Sequence, residues 1–280
     1  MTHPKISIIT PSYNQGQYLE ETIQSVIGQN YPRVEYIIMD GGSTDGSRAI
    51  IEKYADKLAH WESAPDNGQV DAISQGFSRS TGEILGWLNS DDVFLHPNVL
   101  SQVADLFAQN PKADITTGTG VIMNGQGVWN RQTAFQPQYV SYSTLRYRNT
   151  ILQPATFFRR NIWETHPLDH SLHFAFDWDF WIRITKNNNL LATPNVWAGA
   201  RWWGENKTAS GNPRRTWEQA EVFRRYSSAR TWQYLALRSF YASYRLIESV
   251  PHAFHAPGKK IIRLLSLGLA RLSRDRIPTT

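Results

Sequence analysis

The sequence predicts an α/β fold: a mostly parallel central sheet flanked by helices, followed by a helical C-terminal extension. Three observations carry this. Short apolar runs alternate with stretches of helical periodicity through the first half of the chain, the pattern of a sheet covered on both faces. Two of the apolar runs end in acidic turns, Asp40-Gly41-Gly42-Ser43 and Asn89-Ser90-Asp91-Asp92, where open α/β sheets place their ligands. The charge then changes sign along the chain. Residues 1–213 carry 16 Lys and Arg against 20 Asp and Glu, a net −4, whereas residues 214–280 carry 13 against 4, a net +9. This divides the chain into a mildly acidic body, 1–213, and a basic extension, 214–280.

The elements follow in order. Lys5–Thr10 reads as a buried strand stopped by Pro11. Leu19, Ile23, Val26 and Ile27 recur at helical spacing and predict a helix over Gln17–Gln29. Val34–Met39 is a second strand, followed by a helix from about Asp45 to Lys57 with Ser43 or Asp45 as its N-cap. Leu58–Glu62 is a third strand and Asp71–Arg79 a helix. Glu83–Leu88 is a fourth strand, Pro97 opens a helix to Gln109, and Asp114–Met123 returns as a strand. From Val128 to Arg160 the pattern is irregular and aromatic. Trp178–Lys186 reads as a helix with Asp177 before it, and 214–249 and 258–274 read as helices of the extension.

Composition excludes several chemistries. The 280 residues include no Cys, so there is no disulfide framework, thiolate zinc site or thiol nucleophile. No basic start precedes a long apolar core, and no apolar run nears the ~18 residues that span a bilayer. The expectation is a cytoplasmic protein. The first strand is followed neither by G-x-G-x-x-G nor by a P-loop, and no G-x-S-x-G occurs. The eight His are scattered. What remains is carboxylates in loops. Adjacent Asp91 and Asp92 offer oxygen ligands, which suit Mg²⁺ or Mn²⁺ rather than zinc. On residue type alone the commoner role of such a pair is a turn and N-cap before the Pro97 helix.

Four segments in order resemble the family 2 glycosyltransferases of the GT-A (Rossmann-like) fold: Ile8-Ile-Thr-Pro-Ser-Tyr-Asn, Ile38-Met-Asp-Gly-Gly-Ser-Thr-Asp-Gly, Pro65-Asp-Asn-Gly-Gln-Val-Asp-Ala, and Gly82-Glu-Ile-Leu-Gly-Trp-Leu-Asn-Ser-Asp-Asp. The resemblance covers about residues 5–210. It implies inverting transfer of a sugar from a nucleotide diphosphate sugar donor, with Mn²⁺ or Mg²⁺ as cofactor, to a glycan or lipid-linked glycan acceptor in surface polysaccharide biosynthesis. Carried over by position, Pro11 and Tyr13 line the base pocket. Asp40 accepts a hydrogen bond from the base imino N–H, as an acceptor-only group suits, which favours uridine. Asp91 holds the ribose or donor sugar and Asp92 the metal, with Asn89 at the first position of the D-x-D element. Gln69 and Asp71 flank the donor.

Phe174-Ala-Phe-Asp-Trp-Asp-Phe-Trp-Ile-Arg resembles the family's E-D-x-D-L-W-L-R segment, which implies Asp177 as catalytic base and Asp179 as support of the first helical turn. Asp177 also suits a simple helix cap. Two departures stand out. Phe176 replaces the Glu before the base, and Trp203 stands where the family has a His near the metal or diphosphate. Arg201, Lys207 or Glu205 would then serve the phosphates or the metal. These departures leave open a catalytically reduced nucleotide-sugar or glycan-binding module. Trp129, Trp163, Trp178, Trp202 and Trp203 are candidates for stacking on sugar rings.

In the extension, Ile261, Ile262, Leu265, Leu269 and Leu272 fall on one helical face, with Lys259, Arg263 and Arg274 toward the other. That is the pattern of an interfacial helix and predicts an anionic membrane surface as partner of 214–280, peripheral at the inner face of the cytoplasmic membrane. Two helices packed on the body or in a dimer are the alternative. No motif supports nucleic acid as a partner.

Overall fold

The computed structural model describes residues 3–129, 134, 135, 137, 140–204, 207, 213–227 and 239. The chain divides into two units, Met1–Gly204 and Glu205–Thr280. The first is built on a nine-stranded sheet flanked by helices. Its strands are β1 (Ile6–Ser12), β2 (Val34–Asp40), β3 (His60–Ser63), β4 (Ile84–Trp87), β5 (Val93–Phe94), β6 (Ile115–Met123), β7 (Ala134–Phe135), β8 (Thr156–Arg159) and β9 (Leu190–Arg201). Its helices are α1 (Gly16–Ile27), α2 (Ser47–Lys53), α3 (Gln69–Arg79), α4 (Val99–Gln109), α5 (Tyr142–Leu145), α6 (Arg160–Thr165) and α7 (Phe176–Thr185). Strand order is β3-β2-β1-β4-β8-β6-β9-β5, with β7 on β6. β1, β2, β3 and β4 pair in parallel, as do β6 and β9, while β5, β7 and β8 run antiparallel.

The helical spacing in the sequence is the spacing that is buried, except for Ile27, which is exposed at the end of α1. α1 buries Leu19, Thr22, Ile23 and Val26, and α3 buries Val70, Ala72, Ile73, Gly76 and Phe77. Gly76 lets α3 lie close on the sheet, because a Cβ there would come within 2.4 Å of Ile9 Cγ2. An aromatic cluster lies on the same side as α3, whose Phe77 meets Trp87 and Phe158 edge-on. Trp87 stacks on Trp181 at 5.2 Å and 7°, with Phe158 and Phe180 edge-on to each other beside them. The Trp181 indole N–H is buried with no hydrogen-bond partner.

Several elements differ from the sequence expectation. β1 runs through Pro11 to Ser12. Its pairing with β4 ends at Ile9 opposite Trp87, so beyond that point only β2 flanks it, and a proline is tolerated on such an edge. Neither Ser43 nor Asp45 caps α2, whose N-cap is Gly46 at φ +92°. Asp45 instead ties two helix starts together, accepting from Gly16 N at 2.8 Å and from Ser47 N at 3.1 Å. β9 lies in a segment the sequence left unassigned. Pro194 and Asn195 interrupt its apolar pattern, and the ladder to β6 absorbs them by register shifts around Thr119.

In the second unit the described helix is α8 (Pro213–Tyr226). Arg214 pairs with Glu218 at 2.7 Å and Arg224 with Glu221 at 2.6 Å, one turn apart. The predicted helix over 258–274 lies outside the described residues, as does the rest of 214–249 apart from Ser227 and Ser239. Among the described residues no helix is long and apolar enough to cross a membrane.

Candidate functional site

The parallel strands β1, β2 and β4 end together, and the chain reverses its order of addition between β1 and β4. Such a switch point opens a crevice at the carboxyl ends of the strands. Pro11, Asp40 and the Asn89–Asp92 turn all lie at these ends. Pro11 is buried at the end of β1, and Tyr13 just beyond it is 63% exposed. Asn14 holds the left-handed conformation (φ 50°). It locks the two loops together, receiving Thr44 N on Oδ1 at 2.8 Å and giving its own N–H to Ser43 Oγ at 2.8 Å.

Asp40 is buried and anchors its own turn. Its carboxylate accepts from Ser43 N at 2.9 Å, Ser43 Oγ at 2.5 Å and Ser63 Oγ at 2.7 Å. Ser43 is thus drawn to Asp40 rather than to the helix. Oδ1 takes one of these bonds and Oδ2 two, which leaves Oδ1 acceptor capacity for a further donor. A small cavity beside it is lined by Asp40, Glu62, Asp66 and Gln75 among others. Asp66 is a residue the sequence reading passed over, although it stands in the quoted Pro65–Ala72 segment. It packs against Gly41 and accepts from Gly68 N at 2.7 Å. Burial pushes its carboxyl up, helped by the charges of Asp71 and Asp40.

The Asp91–Asp92 pair is also buried at this end, with 7% and 4% of its surface exposed. Asp92 Oδ1 accepts from Arg201 N at 2.9 Å and Oδ2 from Asn89 Nδ2 at 3.0 Å. Asp91 Oδ2 accepts from the Trp203 indole at 3.0 Å. Thr22 on α1 gives its hydroxyl to the carbonyls of Ser90 and Asp92. Burial pushes both carboxyls up, and the neighbouring Asp91 charge pushes Asp92 well above the usual carboxylate range. Two adjacent buried carboxylates in this condition suit a divalent cation, whose charge would relieve the repulsion between them. Among the described residues no group of three or more His, Asp and Glu side chains is placed to hold a metal. Asp91 and Asp92 are thus a pair whose chemistry would suit such a cation, without a complete ligand set among the described residues.

Arg201 is engaged elsewhere than a phosphate. It reaches the Asp91 carbonyl at 3.0 Å, the Gly125 carbonyl at 2.9 Å and Glu21 at 2.6 Å, with its guanidinium 4.4 Å from the Tyr18 ring. Trp203 sits edge-on to the same ring at 5.0 Å. Glu205 lies outside the described residues and Lys207 belongs to the second unit.

Gln69 reaches the same turn, giving its amide to Asn89 Oδ1 at 2.7 Å. Asp71 makes local bonds, accepting from Asn67 N at 3.0 Å and Gln75 Nε2 at 3.1 Å. Asp177 is half-buried and is the second residue of α7, whose N-cap is Ala175, so it is not the cap. Its Oδ1 accepts from Trp178 N at 2.7 Å and its Oδ2 from Asn149 Nδ2 at 3.3 Å. Asp179 is buried and paired with Arg183 one turn further along α7 at 2.7 Å. Phe176 is core, tilted against Trp87. Of the candidate stacking tryptophans, Trp163 packs on Phe77 and Trp178 is buried with its indole on the Leu145 carbonyl. Trp129 and Trp202 remain exposed.

This arrangement defines a GT-A-type nucleotide-sugar fold. The model of the family "Glycosyl transferase family 2" matches residues 7–175, and the chain belongs to that family. An uncharacterized glycosyltransferase of Mycobacterium tuberculosis is 37% identical over 114 residues, 40% of this chain and 44% of the relative. The chain thus spans less than half the length of that relative. A PGL/p-HBAD biosynthesis glycosyltransferase of Mycobacterium bovis is 28% identical over 68% of this chain and 73% of its own. Among solved structures, S. aureus TarS 1-349 in complex with UDP-GlcNAc superposes with a TM-score of 0.65 at 19% identity, covering 88% of this chain and 73% of that one. Mannosyltransferase PcManGT from Pyrobaculum calidifontis, in complex with GDP-Man and Mn²⁺, gives 0.61 at 17% identity, covering 97% and 79%. These likenesses establish the fold.

Proposed function

We propose that this protein is an inverting glycosyltransferase of hexosyl or N-acetylhexosaminyl type. It would move a sugar from a nucleotide diphosphate sugar, with uridine as the base, to a hydroxyl of a glycan or lipid-linked glycan in surface polysaccharide biosynthesis. The observation that carries this reading is the buried, mutually repelling Asp91–Asp92 pair at the switch point, with Asp40 at the adjacent strand end. The UDP-GlcNAc and GDP-Man of the two solved structures support the donor class. The PGL/p-HBAD biosynthesis glycosyltransferase of Mycobacterium bovis supports the glycosyltransferase activity.

In this reading Pro11 and Tyr13 line the base pocket, and the spare acceptor of Asp40 takes the imino N–H. Asp91 holds the ribose or donor sugar, with Gln69 and Asp71 flanking it. Asp92 would hold Mn²⁺ or Mg²⁺, which when bound neutralises charge on the diphosphate. Asp177 accepts the proton of the acceptor hydroxyl as its oxygen attacks the anomeric carbon from the face opposite the nucleotide. The first turn of α7 favours the ionised carboxylate that a base must be. The extension 214–280, as a region distinct from the body 1–213, would hold the enzyme at anionic lipid on the inner face of the cytoplasmic membrane. A catalytically reduced binding module is the second reading, favoured by Phe176 in the core and Trp203 on Asp91.

A panel of nucleotide sugars with Mn²⁺ or Mg²⁺, scored by thermal shift, donor hydrolysis and transfer, separates the two. Transfer that survives intact in both Asp92→Ala and Asp177→Asn sinks the mechanism, and binding without turnover favours the second reading. Flotation with anionic vesicles tests the tail: equal recovery of the parent and a Lys259→Glu, Lys260→Glu, Arg263→Glu variant removes the membrane partner.

A further inference from the structure

We propose that residues 149–153 form a positioning strap that sets Asp92 and Asp177 relative to one another, clamped at one end by Gln153 and at the other by Asn149. The proposal rests on the reading of Asp92 as cation ligand and Asp177 as base.

Gln153 is buried at the start of a 3₁₀ turn leading into β8. Its Nε2 gives a hydrogen bond to the carbonyl of Trp87, the last residue of β4. Its Oε1 accepts from Asn89 Nδ2 at 3.1 Å. The same Asn89 amide nitrogen gives its other hydrogen to Asp92 Oδ2 at 3.0 Å, and Asn89 Oδ1 accepts from Gln69 at 2.7 Å. Both amide hydrogens and the oxygen of Asn89 are therefore assigned. An amide can present either a donor or an acceptor to its neighbour, and only the donor stabilises a carboxylate. Gln153 supplies the acceptor that keeps the Asn89 nitrogen, and not its oxygen, toward Asp92.

Four residues upstream, Asn149 gives Nδ2 to Asp177 Oδ2 at 3.3 Å, while its own Oδ1 accepts from Ile151 N at 3.1 Å. Ile151 is buried, which pins the middle of the strap. Fully extended, the four steps from 149 to 153 span at most about 14 Å, so the strap limits how far apart its two anchors, Asn149 on Asp177 and Gln153 on Asn89, can lie. Transfer needs one carboxylate on the leaving side of the anomeric carbon and the other on the attacking side. Misplacement by about 1 Å costs on the order of 100-fold in rate. Gln153 and Asn149 touch neither reactant in this arrangement; they are positioning residues.

The test uses the full chain, with Mn²⁺ and UDP as binding probes by calorimetry, and transfer kcat and KM with the donor found active. Gln153→Leu is expected to weaken Mn²⁺-UDP binding about tenfold and to lower kcat by about 10–100-fold, as loss of an outer partner of a metal carboxylate does. Gln153→Glu, which keeps an acceptor for Asn89, is expected to recover part of the binding. Asn149→Ala is expected to bind Mn²⁺-UDP like the parent, to lower kcat about tenfold and to move the acid limb of the pH–kcat profile. Parental binding and kcat in Gln153→Leu, or parental kcat and pH profile in Asn149→Ala, overturns the strap. Should Gln153→Leu fail to fold, Asn149→Ala carries the test alone. Asp92→Ala with parental Mn²⁺-UDP binding, or Asp177→Asn with parental kcat, would instead overturn the assignment beneath it.

Discussion

Two buried carboxylate sites lie at opposite ends of the same parallel strands and are built in opposite ways. Glu35, at the start of β2, and Asp91, after β4, are each 7% exposed. Burial pushes Glu35 up, but Lys5 Nζ at 2.7 Å, Ser7 Oγ at 2.6 Å, and the N–H and hydroxyl of Thr81 at 2.6 and 2.7 Å outweigh it and bring its carboxyl down to about 2. Asp91 and Asp92 meet an indole, side-chain amides and a backbone N–H, and the nearby Arg201 charge only partly offsets their burial, so both stay raised. With equal surface exposure, one end holds a structural anion with a lysine partner and the other a more deeply enclosed, under-compensated pair. A carboxylate whose partners are all internal contributes to folding, whereas one left short of positive charge favours an incoming cation.

The largest expected effect breaks this contrast on the functional side. Asp92→Ala and Asp177→Asn should each lower transfer by about 10³-fold or more. Metal-free Asp92→Ala should melt close to the parent, because the repelled charge it removes offsets the Arg201 and Asn89 donors it strands. A clear drop in its melting temperature would place Asp92 with Glu35 as a structural anion.

Next comes the structural end. Glu35→Ala should cost about 2–3 kcal/mol in chemical denaturation, since it strands Ser7, Lys5 and Thr81 together, and should leave kcat unchanged in the folded fraction. Lost activity at unchanged stability would dissolve the contrast.

The pH dependence sharpens it. Glu35 is lowered on folding, so its contribution is complete above the ordinary value of 4.5 and is lost as pH falls toward about 2. Asp91 and Asp92 are raised, so their contribution is greatest below the ordinary carboxylate range and declines as pH rises through their folded values. Metal-free protein should thus lose stability with rising pH above about 4 from this end, and saturating Mn²⁺ should remove the decline. Denaturation midpoints across pH with and without Mn²⁺ measure both signs; a decline that Mn²⁺ leaves untouched argues against a cation at the pair.

The smallest effect is at Trp203. Trp203→Phe keeps the packing on Tyr18 and removes the donor to Asp91. Donor KM should rise several-fold, in line with about 1 kcal/mol for one hydrogen bond. An unchanged KM would mean that the indole bond does not aim Asp91.

The strands β1 to β4 and β6 and the helices α1, α3, α4 and α7 were legible because apolar periodicity and Gly-rich turns agree there. The strand ends at Asp40 and Asp91–Asp92 were legible for the same reason: polar residues close an apolar run. β9 was not, since Pro194 and Asn195 break its pattern and only the bulged ladder to β6 restores it. The supports of the site were also hidden. Asn89 and Gln153, or Glu21 and Arg201, are far apart in sequence, and amides at single positions carry no periodic signal. Asp66 stood inside a quoted motif, but its burial beside Gly41 is a tertiary fact.

The stacked indoles of Trp87 and Trp181 have an optical consequence. Two nearly parallel, stacked chromophores 5.2 Å apart couple their transitions and should produce an exciton doublet in circular dichroism. Trp181, dry and with no acceptor for its N–H, should emit at the blue end of the tryptophan range. Trp87 is two residues from Asn89, so ligands arriving at the carboxylate turn would perturb this built-in dye pair and report their own binding without a label.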